Sequence, residues 1–490
     1  MQQSKRIKTN AAVVNDYCGY VPETNGQVEE VPMGKLLGKV NQTNFFENFV
    51  LRRKPLKIIE GPVNGVALDK FSSDSIVDYL GYDGKLQVER KHESGYGLGY
   101  EREKMSLEEL LAKFNSGDLD YYLTTQYKDE EEEKVEEDEW EDEGEENSEN
   151  GGIENDPDQD SSEEEEQEIK NVDFPDSDLD SIDLNNLQDD YVDSDEESYV
   201  SSKKISDLLQ PPLTNLFKNQ KHKSNSNPNF PLIPDILSFL IPQQINLWIG
   251  ANGKKKNLLQ AEGDAVPRYP DLMPGKPDFG LGRFVPQNGL SSGLHHDHSD
   301  NLYILLQGWK RFTLIAPSEA QSLRTVGEIY RIYKTGIIDY NHPGWSHVAD
   351  DGSVIEKTTT DEEEAKKPIG NHTPPSFSQI PPVFLHLDEI DDDEMRENLT
   401  AIAQDRFPEI LNLPKLEVWL SPGEMLYLPA GWFHEVTSYG FDPRGTTEST
   451  SSEVHIALNY WFAPPNGETI DKPYRDDYWK EDFEELLELI

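Results

Sequence analysis

The sequence is poor in cysteine and in basic charge, and it has no long apolar run. One cysteine in 490 residues, Cys18, excludes an intramolecular disulfide framework and suits a reducing compartment. The most apolar stretch, Phe230 to Pro242, is broken by proline and aspartate and is too short to cross a bilayer, so no membrane segment is expected. The opening MQQSKRIKTN lacks the apolar core of a secretory signal. A cytoplasmic and/or nuclear location is therefore expected, with Lys5, Arg6 and Lys8 read as a solvated tail or a short import signal. Lys and Arg number 45 against 95 Asp and Glu. That balance repels phosphate backbones, which disfavours broad nucleic-acid binding but leaves a local basic groove open.

The acidity is concentrated. Between Asp129 and Val200 stand 35 Asp/Glu and two Lys, so most of the net charge of -50 belongs to one tract. With so little apolar surface, residues 129–227 are expected to form a disordered acidic insertion. Its serines, as in Ser161-Ser162-Glu163, suit an acidophilic kinase, and its charge suits basic partners. Residues 1–40 read as a polar, irregular tail. Residues 41–128 read as an α/β extension. In it, NFFENFVLRRKPLKII is a helix then a strand, DSIVDYLG a helix, KLQVERK a strand and DYYLTTQY another. SLEELLAKF is a helix with Ser106 as N-cap and Glu109 at the capping-box spacing. After Pro228, PDILSFL reads as a helix and QQINLWIG as a strand. NLYILLQ, KRFTLIAP, KLEVWL, MLYLP, EVTSY and VHIALNYWF then give short strands with Gly/Pro turns and few helices, the signature of a sandwich or barrel. A second polar insertion covers about 349–373. The last segment, 466–490, ends in an amphipathic helix, DDYWKEDFEELLELI, suited either to packing on the domain or to a homodimer contact.

Only 11 histidines occur in the chain, yet three fall within SSGLHHDHSDNLYILLQGWKRF. On an extended segment, residues two apart share a face. Three pairs could then chelate: His295 with Asp297, His296 with His298, or His298 with Asp300. A third ligand is offered by SPGEMLYLPAGWFHEV, where Gly423, Pro429 and Gly431 set the turns and His434 emerges from the next strand. Two histidines and one carboxylate on one side of a metal form the facial triad of non-haem Fe(II) oxygenases.

LHHDHSDNLYILLQGWKRFTLIAP, LSPGEMLYLPAGWFHEV and ALNYWF together resemble a JmjC domain over residues 228–465. This is a cupin-type, mainly β double-stranded β-helix (jelly roll) of the Fe(II)- and 2-oxoglutarate-dependent oxygenases. The likeness is greatest to the hydroxylase branch that includes the asparaginyl hydroxylase of hypoxia-inducible factor, and the segment NFVLRRKPLKII to YYLTTQY resembles the extension that precedes the domain in that branch. The resemblance selects the register. The family's lysine for the distal carboxylate of 2-oxoglutarate lies fifteen residues after the first histidine ligand, at Lys310, and a family asparagine six residues after it falls on Asn301. It thus implies His295, Asp297 and His434 as metal ligands. It further implies Lys310 and Tyr122, with Ser292, as anchors of that carboxylate, and Asn301 and Asn459 near the co-substrate. His296 and His298 are expected to point away, toward solvent or a partner, and His455 to be an ordinary strand histidine.

The implied activity uses Fe(II), 2-oxoglutarate and O2 to hydroxylate a side chain of a protein substrate, releasing succinate and CO2. Alternatives are a histone N-methyl-lysine demethylase, an RNA-modifying hydroxylase, or a non-catalytic acidic scaffold. The first would lack the Cys/His zinc modules that often accompany it. A different cupin enzyme using His296 and His298 lacks the glutamate that motif needs, since Leu302 and Tyr303 stand there. The polar stretch DPRGTTESTSSE and the long connection before His295, with Lys254, Lys255 and Lys256, depart from the family pattern where substrate would approach.

Overall fold

The computed structural model describes residues 13–61, 66–91, 96, 102–126, 208–216, 230–252, 272–342, 345–355, 374–444 and 453–489. Most of the acidic tract and residues 356–373 of the second insertion lie outside the described residues.

Strands β1 (Val14–Asn15), β2 (Gly26–Gln27) and β3 (Glu30–Pro32) lead into helix α1 (Lys39–Phe45), which widens into a π-helical turn over Phe46–Val50. The extension continues through β4 (Leu56–Ile59), α2 (Ile76–Leu80), β5 (Leu86–Arg90), β6 (Arg102–Met105), α3 (Leu107–Asn115) and β7 (Tyr121–Leu123). Next come β8 (Pro242–Ala251), β9 (Leu290–Ser291), β10 (Asp300–Gln307), β11 (Trp309–Ile315), β12 (Glu328–Ile332) and β13 (Ile338–Asn341). Helix α4 (Asp393–Arg406) precedes β14 (Leu416–Leu420), β15 (Met425–Leu428), β16 (Phe433–Tyr439) and β17 (Val454–Phe462), and α5 (Tyr478–Leu489) follows.

The larger sheet runs β3-β4-β15-β10-β17-β8-β7-β5-β6, the smaller β2-β14-β11-β16-β9, and β1, β12 and β13 form a third. Alternation along β10 explains how the two main sheets face each other. Leu302, Ile304 and Leu306 join the outer core with Phe45, Phe46 and Leu110 of the extension, while Tyr303 and Leu305 join Phe312, Leu314 and Val418 between the sheets. Both faces of β10 are covered, so its sequence is a near-continuous apolar run rather than a clean alternation. The result is a mainly β cupin-type double-stranded β-helix with few helices, flanked by an extension that adds β3 and β4 at one edge and β7, β5 and β6 at the other.

The expected α3 carries its capping box in full, Ser106 Oγ accepting from Glu109 N–H and the Glu109 carboxylate accepting from Ser106 N–H. Other expectations change. Residues 13–40 are not a loose tail: β1, β2 and β3 pair in parallel with β12, β14 and β4, and Val28, Met33 and Leu36 are buried. Backbone pairing supplies their order, so side-chain pattern carried little signal. Residues 208–216, assigned to the disordered insertion, bury Leu208, Leu209 and Leu213 in the outer core, and Leu209 bridges Ile245. PDILSFL forms only a 3-10 turn over Asp235–Leu237, started by Pro234 and followed within a few residues by β8 at Pro242. Helix α4 was not foreseen. Six of its 14 residues are charged, and only Leu399 and Ala403 are buried, too thin a stripe to stand out. The apolar face of α5 is occupied, since Phe483 and Leu486 pack into the chain's own core.

Candidate metal centre

His295 and His434 sit on neighbouring backbones. His434 N–H donates to His295 O at 2.7 Å and His295 N–H to His434 O at 3.1 Å. Such a directly opposed pair projects both imidazoles to the same side, and Asp297, two residues on, follows. One ligand atom from each of His295, Asp297 and His434 lies within 4.8 Å of the other two. Asp297 Oδ2 is 3.8 Å from His434 Nε2.

Second contacts fix the rings. His295 Nδ1 donates to Gly293 O and His434 Nδ1 to Trp432 O, each at 3.0 Å. A carbonyl partner requires the proton on Nδ1, which leaves each Nε2 lone pair free. Burial, reinforced by the neighbouring His434, holds His295 well below the usual histidine range, so its imidazole is neutral as ligation demands. Phe377 stacks on His295 at 4.7 Å with planes 7° apart. Gly431 N–H donates to Asp297 O at 2.9 Å, tying the two ligand loops together. At Gly431 φ is +77°, and a Cβ would fall 1.8 Å from Gly336 O, so no other residue fits this turn.

The three residues line one cavity of about 450 Å³, open solvent at its mouth included, together with Tyr122, Ser292, Asn301 and Asn459. Lys310 is fully buried at this wall, donating to Tyr122 Oη at 3.3 Å and to Ser438 Oγ at 2.6 Å. No carboxylate pairs with it among the described residues. Burial, and then the nearby Lys91, hold its ammonium well below the usual lysine range. A buried cation with hydroxyls but no counter-ion is what an anion-binding end requires.

Ser292 lines the cavity but points its hydroxyl at backbone. Its hydroxyl donates to Gly293 O at 2.9 Å and accepts from Val436 N–H at 3.1 Å, so it braces backbone while Ser438 takes the place beside Lys310. Ser438 escaped sequence reading, although it stands on the face of β16 shared with His434 and Val436 and pairs directly with Lys310. Tyr96 was also missed. It stacks on Tyr122 at 3.8 Å and its hydroxyl lies 3.1 Å from Ser438 Oγ, an arrangement with no periodic trace in ESGYGLGY. Trp248 Nε1 donates to Asn459 Oδ1 at 2.8 Å, and Asn459 Nδ2 donates to Asn301 Oδ1 at 3.3 Å, a relay that orients both amides.

The remaining members of the histidine cluster face inward elsewhere. His296 is buried, with Nε2 2.7 Å from Tyr340 Oη, and half-buried His298 places Nε2 3.1 Å from Ile338 O. Neither is solvated as expected, because the β12–β13 hairpin covers them. Asp300 is fully buried in an ion pair with Arg53.

The family model for the cupin-like domain matches residues 42–468. JmjC domain-containing protein 4 of Schizosaccharomyces pombe is 26% identical over 325 residues, covering 51% of this chain and 60% of that protein. Lysine-specific demethylase JMJ32 of Arabidopsis thaliana is 28% identical over 172 residues, covering 35% of this chain and 38% of that protein. The human bifunctional peptidase and (3S)-lysyl hydroxylase JMJD7 is 26% identical over 190 residues, covering 39% and 42%. The chain thus spans at most about three fifths of these relatives' lengths. With the fold, the His-Asp-His cluster and a match over most of its length, the chain belongs to the cupin-like family, as a member of its JmjC group.

Proposed function

We propose that this protein is an Fe(II)- and 2-oxoglutarate-dependent oxygenase that hydroxylates a side chain of a protein substrate. The observation that carries the reading is the His295–Asp297–His434 cluster in a cavity whose lining Tyr122 is held by a buried Lys310 with no acid paired to it among the described residues. Two imidazoles and one carboxylate fit Fe(II) and leave coordination positions open for other ligands. The chemistry supplied by iron and 2-oxoglutarate when bound is insertion of one atom of dioxygen into a C–H bond, coupled to oxidative decarboxylation of 2-oxoglutarate to succinate and CO2.

The chain's own residues bind and orient. Lys310, Tyr122 and Ser438 would hold the distal carboxylate, a charge-assisted contact strengthened by the dry surroundings. The Trp248–Asn459–Asn301 relay fixes amides along the cavity wall, and Phe312, Val436 and Trp461 exclude water from its apolar side. Phe377 keeps the His295 ring from rotating.

The test is succinate release by the Fe(II)-loaded protein with 2-oxoglutarate and candidate protein extracts, with mass spectrometry for one added oxygen atom. His295→Ala and His434→Ala are expected to abolish turnover, whereas His298→Ala retains most of it. Activity in His295→Ala with loss in His298→Ala would show that a different pair holds the metal. Loss of a methyl group with formaldehyde release would assign demethylation instead.

A further inference from the structure

The register of the larger sheet sets Glu89, Tyr122, Gly250 and His455 side by side across β5, β7, β8 and β17. Opposed residues share a face. His455 is four residues before Asn459 on the same strand and therefore shares its face, with its ring 5.6 Å from that of the cavity-lining Tyr122. Gly250 makes the room: a Cβ there would fall 2.5 Å from Tyr122 Cδ2 and 2.7 Å from His455 Cε1, so two rings lean over one bare backbone. The imidazole is fully buried, and neither ring nitrogen has a hydrogen-bond partner among the described residues.

Two lysines supply the charges that act on it. Lys310 and Lys91 both act on His455, adding to burial in holding it well below the usual histidine range. Lys91 donates to Ala251 O at 2.6 Å and has Asp120 and Asp118 within electrostatic reach, while burial lowers it to about 8. The other groups facing this cluster are the hydroxyls of Tyr96, Tyr122, Tyr303 and Ser438, and Glu89, buried beside Tyr122. Three bases thus converge behind the Tyr122–Ser438 wall, and Lys310 and His455 have no acid paired with them among the described residues. Burial disfavours charge on Lys310 and His455 in the empty pocket, and an incoming anion favours it.

We infer that His455 is a positioning residue that makes the deep end of the cavity selective for a ligand with a second carboxylate, by sharing with Lys310 the proton that this carboxylate draws in from solvent. The inference rests on the reading of the cavity as a 2-oxoglutarate site. Its sign is definite. The filled pocket holds more protons than the empty one, so affinity for the diacid falls as pH rises. A 2-oxo acid without the distal carboxylate draws in no proton and shows no such slope.

The experiment titrates the Mn(II)-loaded full-length protein with 2-oxoglutarate and with 2-oxopentanoate from pH 6 to 9, following tryptophan fluorescence, since Trp248 and Trp461 line the cavity. Wild type is expected to prefer the diacid and to lose affinity for it as pH rises. His455→Leu should weaken 2-oxoglutarate roughly tenfold, the weight of one proton over one pH unit, flatten its pH slope, and leave 2-oxopentanoate unchanged. His455→Gln, which can donate and accept but not titrate, should restore affinity without restoring the slope. Unchanged diacid affinity and slope in His455→Leu overturn the inference alone, as does equal weakening of both acids, which marks a structural role. Failure of wild type to bind 2-oxoglutarate overturns the inference together with the functional reading beneath it.

Discussion

Asp300 shows how one residue of a metal-like cluster is committed elsewhere. It lies in the spacing of a ligand, two positions after His298, yet its carboxylate accepts from both terminal nitrogens of Arg53, from Tyr427 Oη at 2.6 Å and from Ala430 N–H at 3.0 Å. Arg53 in turn offers its carbonyl to Trp432 Nε1 at 2.9 Å. One buried ion pair therefore joins the N-terminal extension, the loop after Asp297 and the turn before His434. Removing one partner leaves the other charge stranded in the interior, where such losses run to about 3–5 kcal/mol. Asp300→Ala is expected to lose that much in urea-induced unfolding, while the paired change Arg53→Met with Asp300→Leu loses clearly less. Equal losses in the single and double variants would show that packing, not the stranded charge, sets the penalty.

At the scale of elements, the back of β16 carries a second charged cluster. Glu435 accepts from Ser291 Oγ at 2.6 Å and meets His386 Nε2 at 3.1 Å, and His386 Nδ1 and Arg311 both reach Glu389. Burial alone would raise Glu389, but the His386 ring and the Arg311 guanidinium outweigh it and bring it from 4.5 down to about 2. A carboxyl lowered on folding contributes stability that is complete above its unfolded value and is lost as pH falls through its folded one. Between about pH 4.5 and 2, unfolding free energy should therefore drop, and Glu389→Gln should flatten that part of the profile. A variant whose acid transition matches wild type would assign the loss to other carboxylates. Elements of this kind divide by how their information is stored. The α3 capping box and the apolar runs of β10 and β17 are local, and were legible. Strands β1 to β3 are defined by distant backbones, and Ser438 beside Lys310 by a cross-strand register, so no window of sequence contains them. The ligand register was legible only through family spacing, because three chelating pairs are equivalent on a bare strand.

Across the whole molecule, the acidic tract leaves and rejoins the larger sheet at neighbouring points. Gln126, just after β7, donates its N–H to the Gln210 side chain at 3.1 Å, and Gln210 N–H donates to Ile245 O of β8 at 3.1 Å. Strand β7 itself pairs with β8, so both ends are anchored on one pair of strands. Replacing residues 129–205 with a short Gly/Ser linker then requires no rearrangement of the sheet. Closure entropy changes by only about 0.6 kcal/mol per doubling of loop length, so shortening it stabilises by roughly 2 kcal/mol at most. The excised protein is expected to melt at or slightly above the wild-type temperature and to bind Mn(II) with unchanged affinity, although most of the formal charge of -50 is gone. Retained metal binding with lost turnover on a protein substrate would assign the tract to substrate capture. A collapse of both melting temperature and metal affinity would instead show that it belongs to the folding unit of the sheet.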